Sequence, residues 1–438
     1  MTLRPVFLQP NLLRFIAVRV LITTAVMVQA VALGWFVYAQ TGSAFSLGLI
    51  GLAQFLPSIP LLAYAGYAAD HFDRRKVVMV SQAVQALGAL GLAACVHVAP
   101  TAMLPIYTMV LVISGARSFS LPATASLLPN IVSRDDFPQA VAFSTSSMQF
   151  AAMVGPAFGG FVYAWLDRDI FMLLPLFPAL AAVLIFTVQA PGARPHSDDG
   201  GSALQKALAG LVYVRTNRII FGAMSLDLFA VLFGGVTALL PMFAQDILHV
   251  GPRELGLLRS GPTFGALLVG IVLTYLPVSR NAGATMLWSV VGFGLATIVF
   301  GLSTNFWLSF GCLVALGGFD MISMVIRQTL VQMAAPDEMR GRVSAVNSVF
   351  VGASNQLGSF ESGMVASLIG AAPAAIVGGL CTLAVVGVAS LYFPELRRAD
   401  RIRGDAPDEG FEREEETASL TQDAVEIAVP PRKAMRKL

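Results

Sequence analysis

Runs of about twenty apolar residues recur from one end of this chain to the other. Each is long enough to cross the ~30 Å hydrocarbon core of a bilayer as a helix rising ~1.5 Å per residue. Roughly twelve stretches meet that length: 14–39, 47–69, 76–97, 102–128, 139–165, 170–189, 219–243, 253–276, 283–302, 306–333, 341–369 and 373–393. Lipid offers no water to the backbone, so uninterrupted apolar runs of this length must satisfy their own N–H and C=O groups as helices. An all-α integral membrane protein follows. Hydrophobic residues make up 56% of the 438 and charged residues 12%, about half the ~25% charged share of soluble domains. The net charge of +2 implies no nucleic-acid partner, because the charges gather in connections and tail. No leader with a cleavage site precedes the first run, which is read as a retained helix.

The connections orient the bundle. Those after even-numbered runs hold Arg74, Arg75 and Lys76, then Arg134, Arg194 to Arg218, Arg280, and Arg340 with Arg342. Those after odd-numbered runs are short and poor in Lys and Arg, as at Thr41 to Ser43 and Ser303 to Asn305. The positive-inside rule then puts both termini in the cytoplasm.

The chain also repeats itself. Leu47, Gly48 and Leu49 return as Leu255, Gly256 and Leu257, and Asp135, Asp136 with Val141 are echoed by Asp337, Glu338 with Val343. An offset of half the membrane region implies two six-helix halves. The expected division is 1–189 for the N-terminal half, 190–218 for a cytoplasmic linker with an amphipathic helix from Leu204 to Tyr213, 219–393 for the C-terminal half, and 394–438 for a charged, disordered cytoplasmic tail.

One charged cluster stands out, between the second and third runs: Gly66, Asp70, His71, Asp73, Arg74, Arg75 and Lys76. A surface anchor explains the basic residues. It does not explain a carboxylate at a helix end with a glycine one turn before it. Glycine lets a neighbouring backbone come close, and a carboxylate there can face the positive N-terminus of another helix. Within the fifth run, Gly155, Pro156, Gly159 and Gly160, with Ala151 one turn earlier, combine a helix-kinking proline with a flat packing face.

The helix 2–3 cluster resembles the signature of the major facilitator superfamily of transporters, with His71 and Asp73 departing from its usual residues. The stretch from Ala32 through Trp35, Tyr38 and Ser43, then Leu47 to Leu49, then Asp70 to Arg75, is similar to bacterial drug and siderophore exporters of the enterobactin-exporter type. The resemblance covers Leu12 to Phe393. It implies twelve transmembrane helices in two pseudo-repeat halves that rock around a midplane site. It implies that Gly66, Asp70, Arg74, Arg75, Asp135 and Asp136 form a cytoplasmic latch, Asp70 meeting the start of helix 11 near Gly341 and Arg74 or Arg75 meeting Asp135 or Asp136. The fifth run resembles the helix 5 motif of proton-coupled antiporters, which favours export.

Charges inside the runs point to chemistry: Arg19, Arg117, Asp227, Asp320, Arg327 and Glu361. Each is expensive at a helix centre, by about 2.5–3.5 kcal/mol on insertion scales, and needs a partner or a water-filled cavity. All but Glu361 lie on helices 1, 4, 7 and 10, which by resemblance line the central cavity. Asp320, Ser323 and Arg327 share one stripe of helix 10. The N-half thus offers arginines where the C-half offers aspartates, and protons or substrate could compete for those partners. Static ion pairs between helices, or Arg19 snorkelling to the surface, are the bland alternative.

No phosphate-binding loop, paired catalytic carboxylates or nucleophile constellation occurs, so neither an ATP-driven pump nor an enzyme is expected. Cys95, Cys312 and Cys381 read as packing residues, and His97 and His249 lack metal spacing, so no metal and no cofactor is expected. The sequence reading is a monomeric secondary transporter in the lipid bilayer, exporting amphipathic small-molecule substrates against a flow of protons. Its alternative is a facilitator-fold protein that senses or handles lipids or metabolites without pumping.

Overall fold

The computed structural model describes residues 9–189, 203–276 and 281–395. The N-half comprises α1 (Pro10–Thr41), α2 in two pieces (Ala44–Phe55 and Ser58–His71), α3 (Arg74–Val98), α4 (Met103–Ala125), α5 (Phe137–Leu166) and α6 in two pieces (Ile170–Leu173 and Leu176–Thr187). A linker helix (Ala203–Thr216) leads to α7, which is regular over Arg218–Gly234 and continues through short turns to a π-helical end at Phe243–Ile247. The C-half is completed by α8 (Pro252–Tyr275), α9 (Ala282–Leu302), α10 (Phe306–Ala334), α11 (Asp337–Ile369) and α12 (Ala371–Tyr392).

Local chemistry sets the ends and breaks. Proline opens α1 and α8 at a position whose N–H has no helical partner anyway. Asp73, Asn217 and Asn305 cap α3, α7 and α10 with side-chain oxygens that accept from backbone N–H groups of the first turn. Gly42, with φ 57°, ends α1 in the left-handed region that glycine occupies without strain. Pro57 and Pro175 divide α2 and α6, because a proline lacks the N–H that an unbroken helix would use.

Core packing shows which way each helix runs. At one end of the N-half, Leu12 and Phe15 pack with Ala69, Val78, Ala123, Ala140 and Ile185. At the other, Phe36 and Val37 pack with Leu92, Val96, Ile106, Tyr163, Ile170 and Phe171, and with the half-buried Ile50. The six N-half helices therefore alternate in direction. The C-half does the same. Leu226, Met286, Leu330 and Val386 lie at the first end, with Val343 of α11 nearby. Leu239, Leu255, Phe300, Leu313, Ala366 and Ala371 lie at the second. Eight of the described helices are each long and apolar enough to cross a membrane, and the bent pair formed by α5 and α6 adds to them. The divided α2 and the polar α11 complete the alternation, which makes twelve crossings among the described residues.

The outer surface is apolar in a way water would not tolerate, with Leu104, Phe186, Leu368 and Leu391 largely exposed to the surroundings. Trp165 and Trp307 stand at one rim and Tyr275 and Tyr392 at the other, the positions amphipathic rings take at membrane interfaces.

Among the described residues the membrane crossings of the two halves pack against each other at one end, while at the other the linker helix lies between the second piece of α2 and the C-half. The cluster at the second end mixes the two, with Val31 of α1 and Ala44 of α2 inside a core otherwise drawn from the C-half. At the first end, which carries Pro10 and Tyr392, the N-half and C-half have separate cores. The junction rests on bare backbone. A Cβ added to Gly160 of α5 would lie 2.8 Å from Cα of Gly256 on α8. One added to Gly363 of α11 would lie 2.6 Å from Cα of Gly48 on α2. No side chain fits either crossing, and glycine lets the helices approach to that distance. The linker helix sits at the open end against the C-half: Val214 packs with Ile220 and Val343, and Tyr213 donates its hydroxyl to the Ala334 carbonyl at 2.9 Å.

Candidate functional site

At the open end, the charged cluster ties the N-half to itself. Asp73 caps α3 and accepts from the Arg75 N–H at 2.9 Å. Burial works against its charged form, but hydrogen bonds from the backbone of Arg75 and Lys76 and from the Arg75 guanidinium outweigh this and hold its carboxyl below the usual range. Arg74 donates to the carbonyls of Ala69 at 3.2 Å and Ser126 at 3.0 Å, joining the ends of α2 and α4. Arg75 donates to the Val188 carbonyl at 3.1 Å, beyond the end of α6. The expected pairing of these arginines with Asp135 or Asp136 is not formed here, because both guanidiniums are engaged by C-terminal helix carbonyls, where the helix dipole favours a cation. Asp135 is exposed, and Asp136 accepts instead from Gln9 Nε2 at 3.1 Å. Gly66 is half-buried on α2. The Asp70 side chain lies outside the described residues, as do Arg194, Arg280 and the segment 396–438. The anticipated docking point near Gly341 stands clear, since a Cβ there would meet nothing within 4 Å.

On α5, the buried Ala151, Gly155, Pro156, Gly159 and Gly160 form one packed region. A Cβ on Gly155 would come within 2.8 Å of Met27 Cβ, and one on Gly159 within 2.9 Å of Val28 Cα, both on α1. Gly160 faces α8 instead, so the same short stretch serves one contact within the N-half and one between halves.

The charges inside the crossings separate into distinct settings. Arg19 donates to Ser144 Oγ of α5 at 2.6 Å and lies 5.9 Å from the Phe15 ring centroid. Arg117 of α4 makes no hydrogen bond or ion pair with any described residue, and it lines a cavity with Gln29, Gln54, Gln85 and Ser114. In the C-half, Asp227 of α7 and Arg327 of α10 form an ion pair, 6% and 3% exposed. Both partners belong to one half. Asp227 is therefore not held by the N-half arginines against which the sequence set it: the halves have separate cores at this level, and α10 supplies a guanidinium beside α7. Asp320 lies one stripe along α10 in a small pocket walled by Val231, Val290, Phe293 and Phe319, with Asp227 at its edge. It has no hydrogen-bond or ion-pair partner among the described residues. Glu361 of α11 is half-buried and accepts from Ser362 Oγ at 3.5 Å.

The sequence reading missed the polar contacts across the closed end. Arg259 of α8 donates to the Ala30 carbonyl of α1 at 3.1 Å. The Tyr38 hydroxyl of α1 donates to the Asp246 carboxylate, and Gln245 Nε2 reaches the Trp35 carbonyl at 3.5 Å. Arg259 was findable, as a charge inside the expected 253–276 crossing. Asp246 was not, because the apolar run stops at 243 while the helix goes on through a π turn, a variant found often at functional sites.

A family profile described as "Transmembrane secretion effector" matches residues 7–429. The enterobactin exporter EntS of Citrobacter koseri is 26% identical over 363 residues, 81% of this chain and 83% of that protein. Its counterpart in Escherichia coli O157:H7 is 25% identical over the same shares. Among solved structures, a bacterial homologue of the iron transporter ferroportin in its inward-facing state superposes with TM-score 0.69 at 13% identity, covering 89% of this chain and 99% of that one. A mutant of the nucleoside transporter NupG gives TM-score 0.69 at 15% identity, covering 87% and 100%. The profile spans nearly the whole chain, the relatives cover both halves, and the fold is that of these transporters: the chain belongs to the transmembrane secretion effector family of the major facilitator superfamily.

Proposed function

We propose that this membrane transporter exports amphipathic organic molecules, siderophore-like in character, by alternating access driven by protons. The observation that carries the reading is the asymmetry of the bundle: two halves joined through bare glycine crossings at one end and with separate cores at the other, each half holding an ionisable group that faces a cavity of its own. With the basic connections on the cytoplasmic side, the open end faces the cytoplasm of a bacterial inner membrane, both termini are inside, and the protein acts as a monomer. Rocking would bring α11 toward the helix 2–3 cluster while the contacts from Arg259 and Tyr38 separate.

Of the two aspartates the sequence offered as proton carriers, Asp320 fits better. Asp227 is already neutralised by Arg327, whereas Asp320 has no partner in its apolar pocket and can take up or release a proton without breaking an ion pair. The test is flux in proteoliposomes. Purified wild-type protein should accumulate an amphipathic dye against its gradient when a pH gradient is imposed, and should stop when the gradient is collapsed. Accumulation that ignores the pH gradient would refute proton coupling. Binding without any flux would favour the non-pumping alternative.

A further inference from the structure

We infer that the cavity inside the N-half binds the anionic, oxygen-bearing end of the transported molecule, a carboxylate or ionised phenol, through Arg117 with Gln29, Gln54 and Gln85; this rests on the transporter reading above.

Three observations converge. First, Arg117 is a cation without a counterion. It has no hydrogen bond or ion pair to a described residue, yet it sits at mid-membrane depth on α4, where an uncompensated charge is costly. The contrast is internal: the comparable arginine of the C-half, Arg327, is neutralised by Asp227. Second, the N-half cannot supply the missing anion. Apart from Asp70 at the end of α2, its six crossings contain no aspartate or glutamate. A counterion for Arg117 must come from outside the half. Third, the cavity is furnished for acceptor oxygens. Gln29 of α1 and Gln54 of α2 spend no side-chain hydrogen bond on a described residue. Gln85 of α3 donates only one, to Ser81 Oγ at 3.3 Å. A guanidinium carries five N–H donors and each amide two, and a carboxylate accepts up to about four hydrogen bonds. The same cavity is walled by Ile113 and Leu174, which suit the apolar remainder of an amphipathic ligand. A neutral amphipath would leave the guanidinium desolvated and unpaired; an anion pairs with it on arrival.

The test uses two compounds that differ in charge and little else, salicylate and its uncharged amide, with the full chain purified in detergent and binding followed by calorimetry. Wild type should bind salicylate at least about tenfold tighter than salicylamide, since hydrogen bonds to a charged group are roughly twice as strong as neutral ones. Arg117→Gln should remove that preference, and Arg117→Lys should restore part of it. Gln29→Leu with Gln54→Leu should weaken salicylate several-fold while leaving a preference for the anion. Arg168→Gln, on an exposed turn, should behave as wild type. Equal affinity for the two compounds, no binding of salicylate, or an undiminished preference in Arg117→Gln overturns the assignment. Should Arg117→Gln fail to fold, the Lys variant and the glutamine pair decide it. Binding in detergent does not depend on transport. Loss of pH-driven flux with the discrimination intact therefore counts against the export reading and not against the site.

Discussion

The two halves share a plan of six alternating helices but treat their interior charge in opposite ways. The C-half buries an ion pair, Asp227 with Arg327, and leaves a lone carboxylate, Asp320, against aromatic and aliphatic walls. The N-half leaves a lone cation, Arg117, among amides. A buried pair is fixed equipment, because separating it strands a charge in a low-dielectric interior. A lone charge facing a cavity can meet a proton or a ligand. Under the proposed function the C-half handles the proton and the N-half the substrate, and the boundary between them is which charges are already paired.

The largest expected effect tests that division. Arg327→Leu strands Asp227 and should lower stability by about 3–5 kcal/mol, as breaking buried pairs does. Thermal melting in detergent should shift down strongly, and the double variant Asp227→Asn with Arg327→Leu should recover much of the loss. Arg117→Leu, which strands nothing, should melt near wild type or above it. Equal destabilisation by Arg327→Leu and Arg117→Leu would erase the comparison.

Next comes Asp320. Asp320→Asn should abolish concentrative, pH-driven flux, because the amide cannot carry a proton, while exchange down a gradient continues. Asp227→Asn should lower protein yield more than it lowers coupling. If Asp320→Asn still concentrates substrate and Asp227→Asn does not, the assignments of the two aspartates are reversed.

A smaller effect is expected at the closed end, where the halves meet. Arg259→Leu frees the Ala30 carbonyl and Tyr38→Phe removes the donor to Asp246. Each hydrogen bond to a charged group contributes about 1.5–3 kcal/mol at most, less where water replaces it. Both variants should shift the population away from the state that is open at the terminal end. Pulsed electron-spin distances between labels at Arg134 and Arg340, which stand at that end, should then shorten. Unchanged distances would mean that glycine packing alone holds the closed end.

Much of this was legible in the sequence, because membrane burial imposes length and hydropathy on each crossing. Even the divided α2, Ala44–Phe55 with Ser58–His71, covers the expected 47–69 run, since lipid requires the run whether or not Pro57 interrupts the helix. The site was legible in parts. Asp320 and Arg327 could be set on one stripe of α10 from spacing alone. The partner of Asp227 could not, because Arg19, Arg117 and Arg327 on three other helices were equally available to a reader without coordinates. The three glutamines escaped notice for a different reason. A lone amide in an apolar run is chemically quiet, and only their convergence from α1, α2 and α3 on Arg117 gives them meaning. Asp246 was hidden by a helix that outlasts its own apolar pattern.

The smallest effect concerns Asp73, where the chain departs from the usual glycine of its superfamily. The structure supplies a reason: Asp73 is the N-cap of α3 and faces the positive end of that helix. Asn caps nearly as well but carries no charge, so Asp73→Asn should lower stability by less than about 1 kcal/mol near neutral pH. The pH dependence has a definite sign. Hydrogen bonds hold the Asp73 carboxyl below its ordinary value in the folded state, so its contribution is present above the unfolded carboxylate pKa of about 3.9 and fades as pH falls through the lower folded value. Wild type should therefore melt slightly above Asp73→Asn at pH 6, and the gap should narrow steadily as pH falls below the unfolded value of about 3.9. A gap that does not narrow on acidification would show that geometry at the cap, and not its charge, distinguishes the two residues.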